Sequence, residues 1–547
     1  MKPLLQYFRE HRKLTALLLT LPWLLASLGV ILYYIFGPSV GYFHSDCADS
    51  LLWANASLES GRVFSEEFSY AALLPFGSTI WMVPIIAIFG LTMRAQLISM
   101  AIFAILYCAA SIFFFRSLKW SYPTSAAATF ALMMLLSSSV KLREIMWEHT
   151  IYYSLGSLLF LLLLGLLFRT LDAETEKGKR SRFIIWSVLL FLVAVGCGTD
   201  GFQMLVLTVV PALGALVIET LTDETPLLAT KNYKKYLSVF LIFVGTVVGL
   251  GLLLVMTKFG TIGAGYENAY SQWSAVSAWW TNAENFISQW FTLFGVDVTR
   301  EALFSMKSFL YMIRLVVGVA LLICPIILLL RYKKIEDRAT RLAILAHAIL
   351  TLAVMFGFIC GMLSNASWRL TPLLASCIVA TCLYVKELFR CGTVVSKRFS
   401  VLFGAVILAG ALLSARTIVS MPADYGRDDS FYDVIAELEE RGLNYGYATF
   451  WNAGKTTLLS NGKVVVRNID VTTDGVKPYY YQSSRSWFED REGQDSYFLL
   501  LTSAEYQTFI YSAYGNRMFA ERILLGHYQV GGYHILEFNG NVFLPNE

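Results

Sequence analysis

The residues best able to do chemistry lie between Gly41 and Tyr70, where Asp46, Asp49, Glu59, Glu66 and Glu67 crowd into thirty positions and His44 stands two residues before Asp46. The stretch follows the first long apolar segment. Carboxylates kept beside a membrane span are costly, and such residues are frequently functional. A carboxylate can take the proton of an attacking hydroxyl. Three other short polar stretches interrupt apolar sequence: Arg143, Glu144, Glu148 and His149; Asp200 within Gly198-Thr199-Asp200-Gly201; and Arg369. Arginine grips a phosphate with two parallel hydrogen bonds. Acids together with arginines therefore suit a reaction on an anionic substrate, with His44, Asp49, Arg143, Asp200 and Arg369 as its binding residues. Glu148 and His149 offer two ligands for a divalent metal such as Mg²⁺ or Mn²⁺, with Asp46 as a third.

These groups need a frame, and composition says what kind. Of 547 residues, 56% are hydrophobic and 15% are charged. A soluble domain carries about 25% charged residues, so the chain is read as a polytopic membrane protein with room for an aqueous domain. A net charge of +4 gives no footprint for nucleic acid. Of the eight cysteines only Cys47 is expected in an aqueous loop, and none follows Cys391. The basic N-terminus followed by a long apolar run reads as an uncleaved first helix.

A span needs about 20 apolar residues. Eleven are expected: 14–36, 96–115, 124–140, 151–168, 183–198, 202–218, 236–257, 308–330, 342–363, 370–385 and 399–415. Short Lys/Arg-rich loops mark the cytoplasmic side. Lys2, Arg9, Arg12 and Lys13 thus put the N-terminus inside, and the first span delivers the acidic stretch outside. The apolar run 77–93 is short and contains Pro84. Lying in the interface or re-entering, it leaves Lys177, Lys179, Arg180 and Arg182 on the cytoplasmic side. Lys231, Lys234 and Lys235 then fall there too. On this topology all the polar stretches above share the outer face of a plasma membrane protein. The expected division is a bundle over 1–419 with an outer loop at 37–95, then an extracytoplasmic α/β domain over 420–547. In that domain 431–443 shows helical spacing, 503–512 a short helix, and 445–451, 463–469, 496–501 and 528–538 read as strands or a hairpin.

Several motifs together resemble the GT-C superfamily of integral-membrane glycosyltransferases, which includes protein O-mannosyltransferases and aminoarabinose transferases. His44-Ser45-Asp46 is similar to the catalytic acid motif of the family's first outer loop, with Cys47 where a glutamate often stands. Leu74-Pro75-Phe76-Gly77, Trp81, Phe89-Gly90 and Arg94 resemble the segment after that loop, although Leu73-Leu74 replace the family's lysine. Trp147-Glu148-His149 takes the place of a second acidic motif. Arg369-Leu370-Thr371-Pro372 resembles an arginine–proline element that opens a late span. The resemblance implies an α-helical bundle and an enzyme moving a sugar from a polyprenyl-phosphate carrier to a glycan, lipid or protein acceptor of the cell envelope. It implies Asp46 as the catalytic base, an arginine on the lipid phosphate, and inversion. A lipid-linked sugar flippase and a non-catalytic scaffold are the alternatives.

Other signals are weaker. Ala453-Gly454-Lys455-Thr456 lacks the upstream glycine of a phosphate loop and reads as a turn after a strand. Gly260–Gly265 reads as a flexible loop. Trp273, Trp279, Trp280 and Trp290 read as an interfacial belt or a lid, and His347 as a polar contact within a span.

Overall fold

The computed structural model describes residues 12–174, 180–223, 232–257, 262–263, 272–296, 298, 301–362, 366–521 and 523–543. Lys2, Arg9, Lys177, Lys179, Lys231 and most of the 260–265 run lie outside them. Ten helices among the described residues are long and apolar enough to cross a membrane, and the chain is an integral membrane protein. The expected third span is two helices, Tyr122–Leu135 and Val140–Trp147, bent by 115° at their junction; counted as one span they bring the total to 11. The run containing Pro84 forms only a shorter apolar helix within Pro75–Phe89.

By the density of its internal contacts the chain forms two compact units. Met1–Tyr34, Ile102–Leu253 and Glu267–Met421 make the first; Ile35–Ala101, Leu254–Tyr266 and Pro422–Glu547 make the second.

The first unit is a helical bundle. Without a hydrophobic drive between lipid-bathed helices, close packing needs small residues. Helices Arg180–Thr199 and Tyr233–Thr257 meet where a Cβ on Gly198 would fall 2.4 Å from the Thr246 carbonyl oxygen, and one on Gly249 2.2 Å from that of Val195. Buried Glu219 joins Lys235 at 2.9 Å and Arg338 at 3.0 Å, with Asp223 2.7 Å from the same lysine. This network ties together the ends of helices that the sequence assigns to the cytoplasmic side. Trp279 and Trp290 belong to a helix, Trp279–Leu293. The His347 ring sits 3.0 Å from the Ser376 hydroxyl.

The second unit holds a six-stranded sheet: β1 (Tyr445–Thr449), β2 (Val465–Thr472), β3 (Gly475–Pro478), β4 (Tyr497–Thr502), β5 (Leu524–Val530) and β6 (Tyr533–Phe538). The order is β3-β2-β1-β4-β6-β5. β1 runs parallel to β2 and β4, and the remaining pairs are antiparallel. β1, β2 and β4 match expected strands, the expected strand or hairpin at 528–538 is the β5–β6 hairpin, and β3 was not anticipated. Helix Asp429–Glu440 lays Val434 and Leu438 onto a core of Ala448, Val466, Phe498, Leu500 and Ile535. The run Ala453-Gly454-Lys455-Thr456 is not a turn but the middle of helix Phe450–Leu459. Nothing in it breaks a helix except Gly454, whose missing side chain is what the site below requires.

Candidate functional site

In the second unit the acidic segment begins with a tight turn, Ser45–Ala48, followed by α1, Asp49–Ser60. Three contacts hold the turn. Gln96 Nε2 donates to the Cys47 carbonyl at 2.9 Å. The Lys455 amide donates to the Ser45 hydroxyl at 3.2 Å. A Cβ on Gly454 would lie 3.3 Å from Ala48 Cβ, so glycine lets helix Phe450–Leu459 come close. Cys47, expected in an aqueous loop, is 1% exposed because this packing closes around it.

Asp46 sits in that turn, half-buried. Asp49 opens α1 and is buried. Gln482 Nε2 donates to Asp49 Oδ2 at 2.8 Å, while Gln482 Oε1 accepts from the Trp53 indole. Gln482 is fully buried at φ 58°, a conformation costing about 1–3 kcal/mol for a residue with a side chain. Its strain is offset by two buried hydrogen bonds. Burial pushes the Asp49 carboxyl well above the usual carboxylate range; the Asp46 charge pushes the same way and Gln482 opposes. Asp49 Oδ1 has no partner. The His44 ring packs against Trp451, centroids 6.1 Å apart.

In the first unit a serine turn builds a second cluster. Ser137 Oγ donates to the Met133 carbonyl at 2.7 Å and accepts from the Trp147 indole at 2.8 Å. The Ser139 hydroxyl caps α2, Val140–Trp147, by accepting from the Leu142 amide. Serines that bond their own backbone favour such breaks over continued helix. The bend delivers Arg143, 2% exposed, with Nη1 donating to the Ser137 carbonyl at 3.1 Å and the guanidinium 5.5 Å from the Tyr34 ring centre.

Arg314, from helix Met306–Leu330, approaches the same serine turn. Its Nη1 donates to the Gly295 carbonyl at 3.0 Å, and Gly295 at φ 75° stands beside Ser138 and Ser139. The two guanidinium groups are close enough to feel each other's charge. Both Nε atoms are buried without a hydrogen-bond partner, and among the described residues neither arginine pairs with a carboxylate. Sequence reasoning passed over Arg314, although an arginine inside a 25-residue apolar helix is itself a functional signal.

The remaining expected site residues fall into place around α2 and elsewhere. Glu148 accepts from the Tyr34 hydroxyl. Glu144 pairs with Lys141 at 2.6 Å and lies 3.6 Å from His149 Nε2. Lys141 in turn sits 5.1 Å from the Trp368 ring, which brings α2 against the turn Ser367–Leu370 that carries Arg369. Asp200 is buried between helices Arg180–Thr199 and Gly201–Met204, where Gly201 at φ 84° permits the break.

No family model and no curated protein matches the chain. Among solved structures it is similar to ArnT from Cupriavidus metallidurans bound to undecaprenyl phosphate, at 13% identity and a TM-score of 0.50, over 94% of this chain and 97% of that one. It is also similar to the Archaeoglobus fulgidus oligosaccharyltransferase in complex with Zn and sulfate, at 11% identity and a TM-score of 0.49, over 90% of this chain and 70% of that one. The chain thus shares its overall fold with ArnT along nearly the whole length of both proteins.

Proposed function

We propose that the chain transfers a sugar from a polyprenyl-phosphate carrier to a glycan, lipid or protein acceptor of the cell envelope, on the extracytoplasmic side. Asp46 takes the proton of the acceptor hydroxyl. The acceptor oxygen bonds to the anomeric carbon from the face opposite the phosphate, and the bond to the phosphate oxygen breaks. The leaving polyprenyl phosphate carries the electron pair away, and the sugar is inverted. Arg143 and Arg314 neutralise that phosphate, with Arg369, His44, Asp49 and Asp200 completing substrate binding.

The observation that carries this reading is buried Arg143 beside half-buried Arg314, each with a buried, unpartnered Nε and, among the described residues, no carboxylate counter-ion. A buried charge is normally paired, so two together call for an anion. The shared fold with ArnT, solved with undecaprenyl phosphate, supports a carrier of that chemistry. A divalent metal would take His149 with Glu144 or Glu148, displacing the Lys141 ammonium or the Tyr34 hydroxyl that engages each carboxylate in this structure. An imidazole with a carboxylate suits Mn²⁺ or Zn²⁺ more than Mg²⁺. Such an ion would add positive charge for the phosphate.

The test is sugar transfer from lipid-linked donors by the purified protein beside Asp46→Asn. Transfer in the wild type and its loss in the variant are expected. Full activity of Asp46→Asn removes that residue from the chemistry, and carrier translocation without transfer replaces the enzyme reading by a flippase.

A further inference from the structure

A polar cavity lies within the second unit, away from the acidic turn. It has a volume of about 330 Å³ and is lined on one side by Asn55 and Glu59 and by the break Gly90–Thr92. On the other side stand Thr457, Asn461, Gly462, Arg467 and Arg491. Glu59 is ten residues beyond Asp49 on α1, which at 1.5 Å per residue puts it about 15 Å along the helix. The backbone is shaped for the space: Asn461 and Gly462 have φ of 53° and 75°, and a Cβ on Gly462 would come within 3.0 Å of the Leu91 carbonyl oxygen.

Arg467 dominates the lining. It is 94% buried by its 6% exposure, its guanidinium lies 3.5 Å from the Trp487 ring centre, and its Nε has no hydrogen-bond partner. A stacked, buried arginine in the wall of a cavity is a pre-organised anion receptor, because its fork is fixed before the ligand arrives. Arg491, exposed at the rim, lies 4.4 Å from the Tyr445 ring centre. Against these two cations the cavity sets one carboxylate, Glu59, which accepts from Asn55 Nδ2 at 2.8 Å. The net charge of the lining is therefore positive by one, and Asn55, Asn461 and Glu59 bring the hydrogen-bonding capacity that hydroxyl groups need.

We propose that this cavity binds a small hydroxylated monoanion, a sugar bearing one carboxylate or phosphate group, with its charge on Arg467 and Arg491 and its hydroxyls toward Asn55, Glu59 and Asn461. The site is separate from the proposed transfer chemistry and does not depend on it.

Titration calorimetry on the full chain in detergent, with glucuronate, glucose 1-phosphate, neutral glucose and dihexanoyl phosphatidic acid as probes, tests this. Glucuronate or glucose 1-phosphate is expected to bind and glucose to bind at least tenfold more weakly. Arg491→Gln, at an exposed position, lowers affinity about tenfold, as expected for one charge-assisted hydrogen bond. Glu59→Gln removes the one repelling charge and raises affinity, a change of sign that mere loosening of the fold does not produce. The proposal is overturned if neither sugar anion binds, if both variants weaken binding alike, or if only phosphatidic acid binds, which would make the cavity a lipid headgroup site.

Discussion

Two polar clusters, one in each unit, treat buried charge in opposite ways. In the second, the acid Asp49 is buried with a dedicated donor, Gln482, itself locked by Trp53. In the first, buried Arg143 and half-buried Arg314 stand close together with only backbone carbonyls accepting from their side chains. An acid can shed its burial cost by keeping its proton, and the raised Asp49 value describes that outcome. Arginine has no such exit, since it stays protonated under all ordinary conditions. The arginine pair therefore calls for an anion, whereas Asp49 can settle its burial by holding a proton. That difference separates a group that holds charge for a ligand from one that manages a proton.

Substitutions can break or sharpen this contrast. The largest effect is expected from Asp46→Asn, which should cut sugar transfer by about two to four orders of magnitude through kcat, leaving donor KM nearly unchanged. If Asp49→Asn is the more damaging, the two acids exchange roles. Next comes Arg143→Met or Arg314→Met, each expected to lower kcat by about two to three orders of magnitude and to weaken donor binding. Lysine at either position should restore little, because it cannot present a planar fork. Gln482→Leu should cost about 1–3 kcal/mol of stability in thermal melts, since it strands the Trp53 indole and Asp49 Oδ2 in the interior.

Asp49 also makes a prediction about pH. Its folded value is raised, so the folded state binds a proton that the unfolded chain releases. Stability from this group is complete below the ordinary carboxylate range and declines as pH rises toward the raised value. Asp49→Asn, neutral throughout, should flatten that decline, gaining most over wild type at the alkaline end of a melting series. The smallest effect belongs to an exposed pair such as Lys463–Glu439, 2.7 Å apart. Lys463→Ala should change stability by less than about 1 kcal/mol.

Much of the architecture was legible because periodicity and hydrophobic length are local properties. The spans, the Asp429–Glu440 helix and the Tyr497–Thr502 strand all follow from residues within one window. The bend at Ser137–Ser139 was not, since three serines in apolar sequence read equally as a continuing span; only the Trp147 indole closing on Ser137 makes them a corner. Arg314 was legible in principle as a charge in an apolar run. Gln482 was not, because a glutamine in a polar loop carries no sign that it will meet Asp49, 433 positions earlier.

By itself, the amino-acid order settled that the chain lives in a membrane, that it ends in an α/β domain, and which acids and arginines are costly enough to need a purpose. Those are consequences of transfer energies summed over neighbours in sequence. Tertiary structure alone decided which charges keep a partner and which wait for one. Hydrogen-bond satisfaction is settled between segments hundreds of residues apart, where packing places Gln482 on Asp49 and leaves Arg143, Arg314 and Arg467 each with a donor to spare.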